Sequence, residues 1–494
     1  MFDVIQSQLP AITIAVLLFA ASGAFLVRFE SARAIALVAA ILQLLMVSWM
    51  TWIVVGQEAV WVYTVGGWGA PLGIDLTIDG TSAVMMLLTA VVGCVVTIYS
   101  AGYFPPKDSY RLFWSLWLFL WAAMFALFAS NDLFNLYVCL ELLTISAVGL
   151  VAISGERAAL FAGMRYILSA LAGSLIYLFG VALVYASTGV LDFDLLAAQV
   201  SVDPTTQAGL ALMVIGLLLK TALFPMHFWL PPAHANAVAP VSAVLSALVV
   251  KGSFYIIFKI MHVFVGHEMI PGLAEVLGIL GVCAIIWGSA MALMQKRLKM
   301  LVAYSTVAQI GYLFLLFPLV AAADDVQTAV LAASAGLFHA VAHGLAKGAM
   351  FLTAGTIVKT LGSDHLEDMA GLSRFAPIPA FTFAIAGVSM VGLPPSGGFA
   401  SKWLYVTSAI ETGAWWWAAA VVVGGLLAAL YIFKVIALFM GSGQPPAQVT
   451  VSNRTITVAP LVLALMSLVI GVFGQPILDL LYPAVESLAS GMMR

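Results

Sequence analysis

The chain has 494 residues, 63% of them hydrophobic and only 8% charged, with a mean hydropathy of +1.11, whereas soluble domains are about half apolar and a quarter charged. That composition excludes a soluble fold. A net charge of −3, from 19 basic and 22 acidic residues spread mostly through short loops, leaves no basic surface for nucleic acid. The isolated Cys94, Cys139 and Cys283 lie inside apolar blocks and offer no CxxC, zinc or iron–sulfur spacing, so they read as packing residues and no metal or cofactor is expected.

The amino-terminal MFDVIQSQLP has Asp3 and no Lys or Arg, so it lacks the basic region of a cleaved signal peptide, and the first apolar block is expected to remain as a transmembrane helix. Uncharged blocks of roughly 18 to 25 residues, enough for a helix to cross ~30 Å of hydrocarbon, then follow along the chain. The first seven run near Ala11 to Val27, Ala34 to Val55, Thr81 to Ser100, Leu112 to Ala129, Asp132 to Ile153, Phe161 to Ala186 and Ala208 to Leu230. The others run near Val241 to Val265, Leu273 to Met294, Leu298 to Leu319, Thr328 to Ile357, Ala380 to Ile410, Ala414 to Met440 and Ile456 to Phe473. The expectation is an all-α polytopic membrane protein of about fourteen spans. Between the second and third spans, Gly66 to Gly80 alternates apolar Ile74, Leu76 and Ile78 with polar residues, which predicts a short β-hairpin.

Alternate loops carry opposite charge. Arg28, Arg33, Lys107, Arg111, Arg157, Lys296, Arg297, Lys299, Lys359, Arg374 and Arg454 fall in loops of one parity. Glu58, Asp75, Asp79, Asp192, Asp194, Asp203, Asp324 and Asp325 fall in the other, with almost no basic residue there before Arg494. Because cytoplasmic loops are enriched in Lys and Arg, both termini are expected outside the cell membrane.

Ionisable residues within spans are costly and are functional candidates by default. Glu141, in the fifth span, is the one carboxylate deep in a span, against Arg165, Lys220, Lys251, Lys347 and Lys402, with His339 and His343 beside Lys347. One anion cannot neutralise five cations. Unit charges about 6 Å apart at an effective dielectric of ~20 interact by roughly 2.8 kcal/mol, so making or breaking one Glu–Lys contact can load or unload a proton on the next lysine. The competing reading is that each cation is fixed by Glu141, a carbonyl or an aromatic face. Lys259 and Lys434 lie nearer span ends, where snorkelling explains them. His339, His343 and Lys347, spaced four apart, share one helical face. Two histidines on one face do not form a haem pair, and a proton relay fits them better.

Two spans are interrupted by proline, at Pro225 after Lys220 and at Pro394 and Pro395 before Lys402. Such breaks persist in membranes only where the freed backbone is buried or lines a cavity. As seventh and twelfth spans they cross in opposite directions, which predicts two inverted five-helix repeats in which Lys220 corresponds to Lys402. The expected organisation is 1–100 as three helices with the hairpin, 101–270 as the first repeat, 271–441 as the second and 442–494 as the last helix.

Glu141, the stretch from Lys220 through FPMHFWLPPAHANAVAPVSAVLSALVVK, then KRLKMLVAYSTVAQIGY, HAVAHGLAKGAMFLTAG and GLPPSGGFASKW together resemble the antiporter-like membrane subunit family. That family includes the proton-pumping subunits of respiratory complex I and the large subunits of Mrp-type cation/proton antiporters. The resemblance covers almost the whole chain. It implies fourteen helices with a lateral mid-membrane row of protonatable residues, with Glu141 as the fifth-span glutamate, Lys220 and Lys251 as the seventh- and eighth-span lysines and Lys402 as the terminal residue of the twelfth span. Length and Lys402 are most similar to the D-type component of Mrp antiporters, which implies other membrane subunits as partners, protons as the relayed ion and Na+ as the candidate exchanged cation. A pump subunit of a complex I-like quinone reductase or hydrogenase, or a component of an energy-coupled bicarbonate uptake system, are the alternatives, and no redox chemistry is expected within this chain.

Overall fold

In hydrocarbon the backbone has no hydrogen-bond partner but itself, so long apolar blocks become helices. The computed structural model describes residues 6–57, 60–107, 110–199, 203–265, 270, 272–443 and 453–492; Glu58 and Arg494 of the charge pattern lie outside them. The first helices are α1 (Leu9–Leu26), α2 (Phe29–Gln57), α3 (Gly80–Tyr103), α4 (Arg111–Ala129), α5 (Leu133–Val151) and α6 (Arg157–Thr188). Next come α7 (Pro204–Thr221), α8 (Leu230–Asn236), α9 (Ala239–Val244) and α10 (Val250–Val265), the last two joined by a π-turn over Leu245–Val249. They are followed by α11 (Leu273–Met294), α12 (Leu298–Phe314), α13 (Leu316–Ala321), α14 (Val326–Leu361), α15 (Pro377–Val391), α16 (Gly397–Glu411), α17 (Trp415–Met440), α18 (Arg454–Val472) and α19 (Gln475–Met492).

Among the described residues, 12 helices are long and apolar enough to cross a membrane. Compared with the fourteen expected spans, the seventh and twelfth are missing from that number, and each of those two segments consists of two shorter helices, α7 with α8 and α15 with α16. Two other details differ from expectation. The hairpin pairs Trp61–Thr64 (β1) with Asp75–Ile78 (β2), Trp61 opposite Ile78, so its first strand precedes the glycine-rich stretch. Beyond the last expected span lies α19, whose apolar face packs Leu480 against Gly80 at the start of α3.

Local chemistry sets the helix starts. Asp79, Asp132, Asp203 and Asp325 each accept backbone N–H groups at the first turns of α3, α5, α7 and α14. These carboxylates of the acidic loops therefore act as caps, favoured by the positive end of the helix dipole. Hydroxyls of Thr206 and Ser187 hold the Asp203 carboxyl well below its ordinary range. Close helix contacts rely on small residues: a Cβ on Gly216 of α7 would lie 2.4 Å from the Gly173 carbonyl of α6, and this approach brings the end of α7 beside α5. The 36-residue α14, about 54 Å long, runs almost wholly buried through the centre, next to the equally buried α9–α10 segment.

Candidate functional site

Lys220 stands in the last turn of α7, where the helix stops at Ala222 in a left-handed conformation (φ 59°) and resumes at Leu230. Its ammonium donates to Thr144 Oγ1 at 2.9 Å and to the Leu140 carbonyl at 3.4 Å, both on α5. Glu141 Oε1 is 3.5 Å away and accepts no hydrogen bond from the described residues. The carboxylate is thus in charge contact but loosely held, beyond ordinary hydrogen-bond length. A cavity of about 10 Å³, bounded by Thr144, Tyr166, Ala170, Lys220, Val249 and Ser253, has room for about one water. From there Thr221 donates to Ser253 at 2.9 Å, two residues beyond Lys251.

Lys251 is fully buried and donates to the Ser246 carbonyl at 2.6 Å, across the π-turn of its own span. Ser246 Oγ is 2.9 Å from Thr306 Oγ1 on α12. Also on α12, Lys347 donates to Ser305 Oγ and, at 2.9 Å, to the Val302 carbonyl, which Thr306 Oγ1 bonds as well. Along α14 the rings of His343 and His339 stack 6.0 Å apart at 4°. His343 has no hydrogen-bond partner on either nitrogen among the described residues, while His339 Nδ1 lies 3.1 Å from Ser401 Oγ, one residue before Lys402. Lys402 donates to the carbonyls of Met390 at 3.0 Å and Val391 at 2.9 Å and sits 4.6 Å over the Tyr312 ring.

Six of the seven residues proposed from sequence as relay members are nearly dry, and Glu141 is 22% exposed at its side chain. They form a row in which hydroxyls stand between some members, not one cluster. Pro225, Pro394 and Pro395 sit in the two breaks as expected. Arg165 does not join the row. It lies exposed on the outer face of α6 beside Phe161 and Met164, with no ion pair among the described residues. Lys259 donates to Ser130 O at 2.9 Å and Lys434 to Leu293 O at 2.8 Å near span ends. Near Lys259, the loop after α6 carries Asp192, whose carboxyl burial pushes up.

Sequence reasoning missed the hydroxyls of Thr144, Ser246 and Ser401, because uncharged polar residues within apolar blocks carry no charge signal. It also missed His234 of α8, fully buried with its ring 4.9 Å from that of Phe351; a histidine within a proline-broken span was the available sign.

The breaks share a backbone pattern. Leu223 N donates to Leu218 O and Met226 N to Leu223 O, as Leu393 N does to Val388 O and Ser396 N to Leu393 O. Left-handed Ala222 matches left-handed Gly392, and Pro225 matches Pro395, all at one constant offset. In that register Lys220 falls opposite Met390 and Lys402 opposite Pro232, so the two lysines reach their breaks from opposite sides. That differs from the one-to-one match expected from sequence.

The fold and the site define a many-helix membrane protein with two interrupted spans and a buried row of lysines and histidines. Residues 130–428 match the family model described as NADH:quinone oxidoreductase/Mrp antiporter, TM, and residues 61–114 the one described as NADH-Ubiquinone oxidoreductase (complex I), chain 5 N-terminus. The chain belongs to this NADH:quinone oxidoreductase/Mrp antiporter family of membrane proteins. It is 36% identical to the N-type subunit of NADH-quinone oxidoreductase from Desulforudis audaxviator over 78% of this chain and 77% of that one. It is 27% identical to the D-type subunit of the Na(+)/H(+) antiporter from Alkalihalophilus pseudofirmus over 92% of each. Its fold matches a chain of the membrane-bound sulfane sulfur reductase, an archaeal respiratory membrane complex, with a TM-score of 0.87 and 29% identity, covering 99% of this chain and 98% of that one.

Proposed function

We propose that this chain is a proton-translocating subunit of a multisubunit membrane complex, and specifically the D-type component of an Mrp-type cation/proton antiporter. The observation that carries the first statement is the loose Glu141–Lys220 contact at a helix break, beside a cavity for one water. A lysine with a 3.5 Å carboxylate and two neutral acceptors can exchange partners at small cost. When the contact loosens, Lys220 passes its proton by way of Ser253 and Lys251 toward Lys347, and the stacked histidines pass it on to Lys402. Matching over 92% of both chains favours the D-type assignment; the 36% identity to an N-type quinone-oxidoreductase chain favours a complex I-like pump as the second reading. The inverted-repeat organisation, the placement of both termini outside the cell membrane and the segment boundaries given above are part of the same proposal.

The test uses the assembled complex in sealed vesicles. Glu141→Ala and Lys220→Ala should abolish proton translocation with normal assembly, and Glu141→Asp should retain part of it. Wild-type rates in the two alanine variants would reject the relay. Proton uptake driven by a Na+ gradient with no electron donor supports the antiporter reading, and uptake seen only with a quinone and its reductant supports the pump.

A further inference from the structure

The break in α7 frees last-turn carbonyls that a helix would otherwise bond. One of them, Leu219 O, accepts from the indole Nε1 of Trp229 at 2.9 Å and from Ala222 N at the longer distance of 3.3 Å. The same indole lies flat on Tyr166, with centroids 4.3 Å apart at 3°, and Tyr166 walls the cavity beside Lys220. At the second break the residue in register with Trp229 is Phe399, which has no side-chain donor, and a lysine ammonium takes the carbonyls of Met390 and Val391, in register with Lys220 and Thr221 next to Leu219. Lysines near a helix end readily bond its last carbonyls.

Resting on the translocation reading above, the geometry points to Trp229 as a positioning residue that occupies the Leu219 carbonyl and so keeps the Lys220 ammonium turned toward Glu141 and the cavity. Without that donor, Lys220 turns back to the end of its own helix, as Lys402 turns to the end of α15. Trp229 touches no transported proton. It acts through Lys220, whose facing charged or titratable groups are Glu141 from α5 and Tyr166 from α6.

Trp229→Phe keeps the ring on Tyr166 and removes only the N–H. In vesicles holding the assembled complex, translocation should fall about tenfold, the scale of one buried hydrogen bond, with assembly and thermal midpoint close to wild type. The decisive measurement places Trp229→Phe in the Glu141→Asp background. Residues acting through one contact are non-additive, so the fold-loss there should be clearly smaller than in the wild type. Wild-type translocation by Trp229→Phe, a loss that tracks loss of assembly, or the same fold-loss in both backgrounds would each overturn the assignment. Wild-type rates in Glu141→Ala and Lys220→Ala would instead reject the reading beneath it, so the two failures are told apart.

Discussion

At the first break the buried end of α7 is closed by Ala222 N and by Trp229, and Lys220 is left to face Glu141 and Thr144 across the helix boundary. At the second, the end of α15 is closed by Lys402 itself, which has a ring and two carbonyls around it and no carboxylate. The backbone pattern is the same in both, and the difference is where the donor comes from. A lysine relieved of capping can change partners, whereas a lysine that caps must give up its bonds to two carbonyls whenever it moves, leaving Val391 O unpaired and Met390 O with only Gln309 Nε2. The first break is therefore suited to switching and the second to holding a charge until something drives it off.

The largest effects should separate these roles. Lys402→Met orphans the buried Val391 carbonyl, at about 1–3 kcal/mol, and leaves Met390 O only Gln309 Nε2 at 3.3 Å, so it is expected to lower the yield of assembled complex. Lys220→Met leaves the α7 cap in place and should assemble yet not translocate. Lys402→Arg still reaches both carbonyls but does not release its proton, so it should assemble and fail in transport. Complex yield and vesicle proton flux measured side by side decide it: wild-type flux in Lys402→Arg would make Lys402 a cap only.

Much of this was legible in the sequence, for stated physical reasons. Block length marked the spans, because a hydrocarbon slab imposes it, and Pro225 and Pro395 fall in the two gaps between helices. The excess of five cations over one anion was also readable. Its resolution was not, since Lys251, Lys347 and Lys402 are held by the carbonyls of Ser246, Val302, Met390 and Val391, and every residue has a carbonyl. The π-turn that lets Lys251 reach Ser246 has no composition signal in LSALV. Arg165 was misplaced because hydropathy locates depth but not which way a helix face points.

Between the two breaks lies the stacked pair, and a smaller effect is expected there. Replacing His339 and His343 together by glutamine keeps polarity and removes titration near neutral pH. Since His343 has no hydrogen-bond partner among the described residues and His339 Nδ1 pairs with Ser401 Oγ, a partner that a glutamine side chain can also bond, the change should cost little stability. Translocation should fall roughly tenfold or more at every pH tested. Unchanged flux, or flux falling in step with assembly, would cut the link between the two breaks and leave the first to work alone.

The smallest effects come from the matched residues at the break points. Ala222 holds φ 59°, a conformation that costs an L-residue roughly 1–2 kcal/mol, so Ala222→Gly should relieve strain and raise stability by about 0.5–1 kcal/mol after glycine's extra chain entropy. Lys220 lies two residues earlier, within α7, and its contact with Glu141 should be unaffected, leaving flux unchanged. The reciprocal Gly392→Ala adds the same strain at φ 87° and sets a Cβ 2.6 Å from Lys402 Cδ. That lysine must then shift off its carbonyls, so stability should fall by about 1–2 kcal/mol and flux should fall with it. Thermal midpoints and proton flux on the same preparations measure both. If the two substitutions moved flux equally, Lys402 would be no more tied to its helix end than Lys220 is, and the division between a switching break and a holding break would fail.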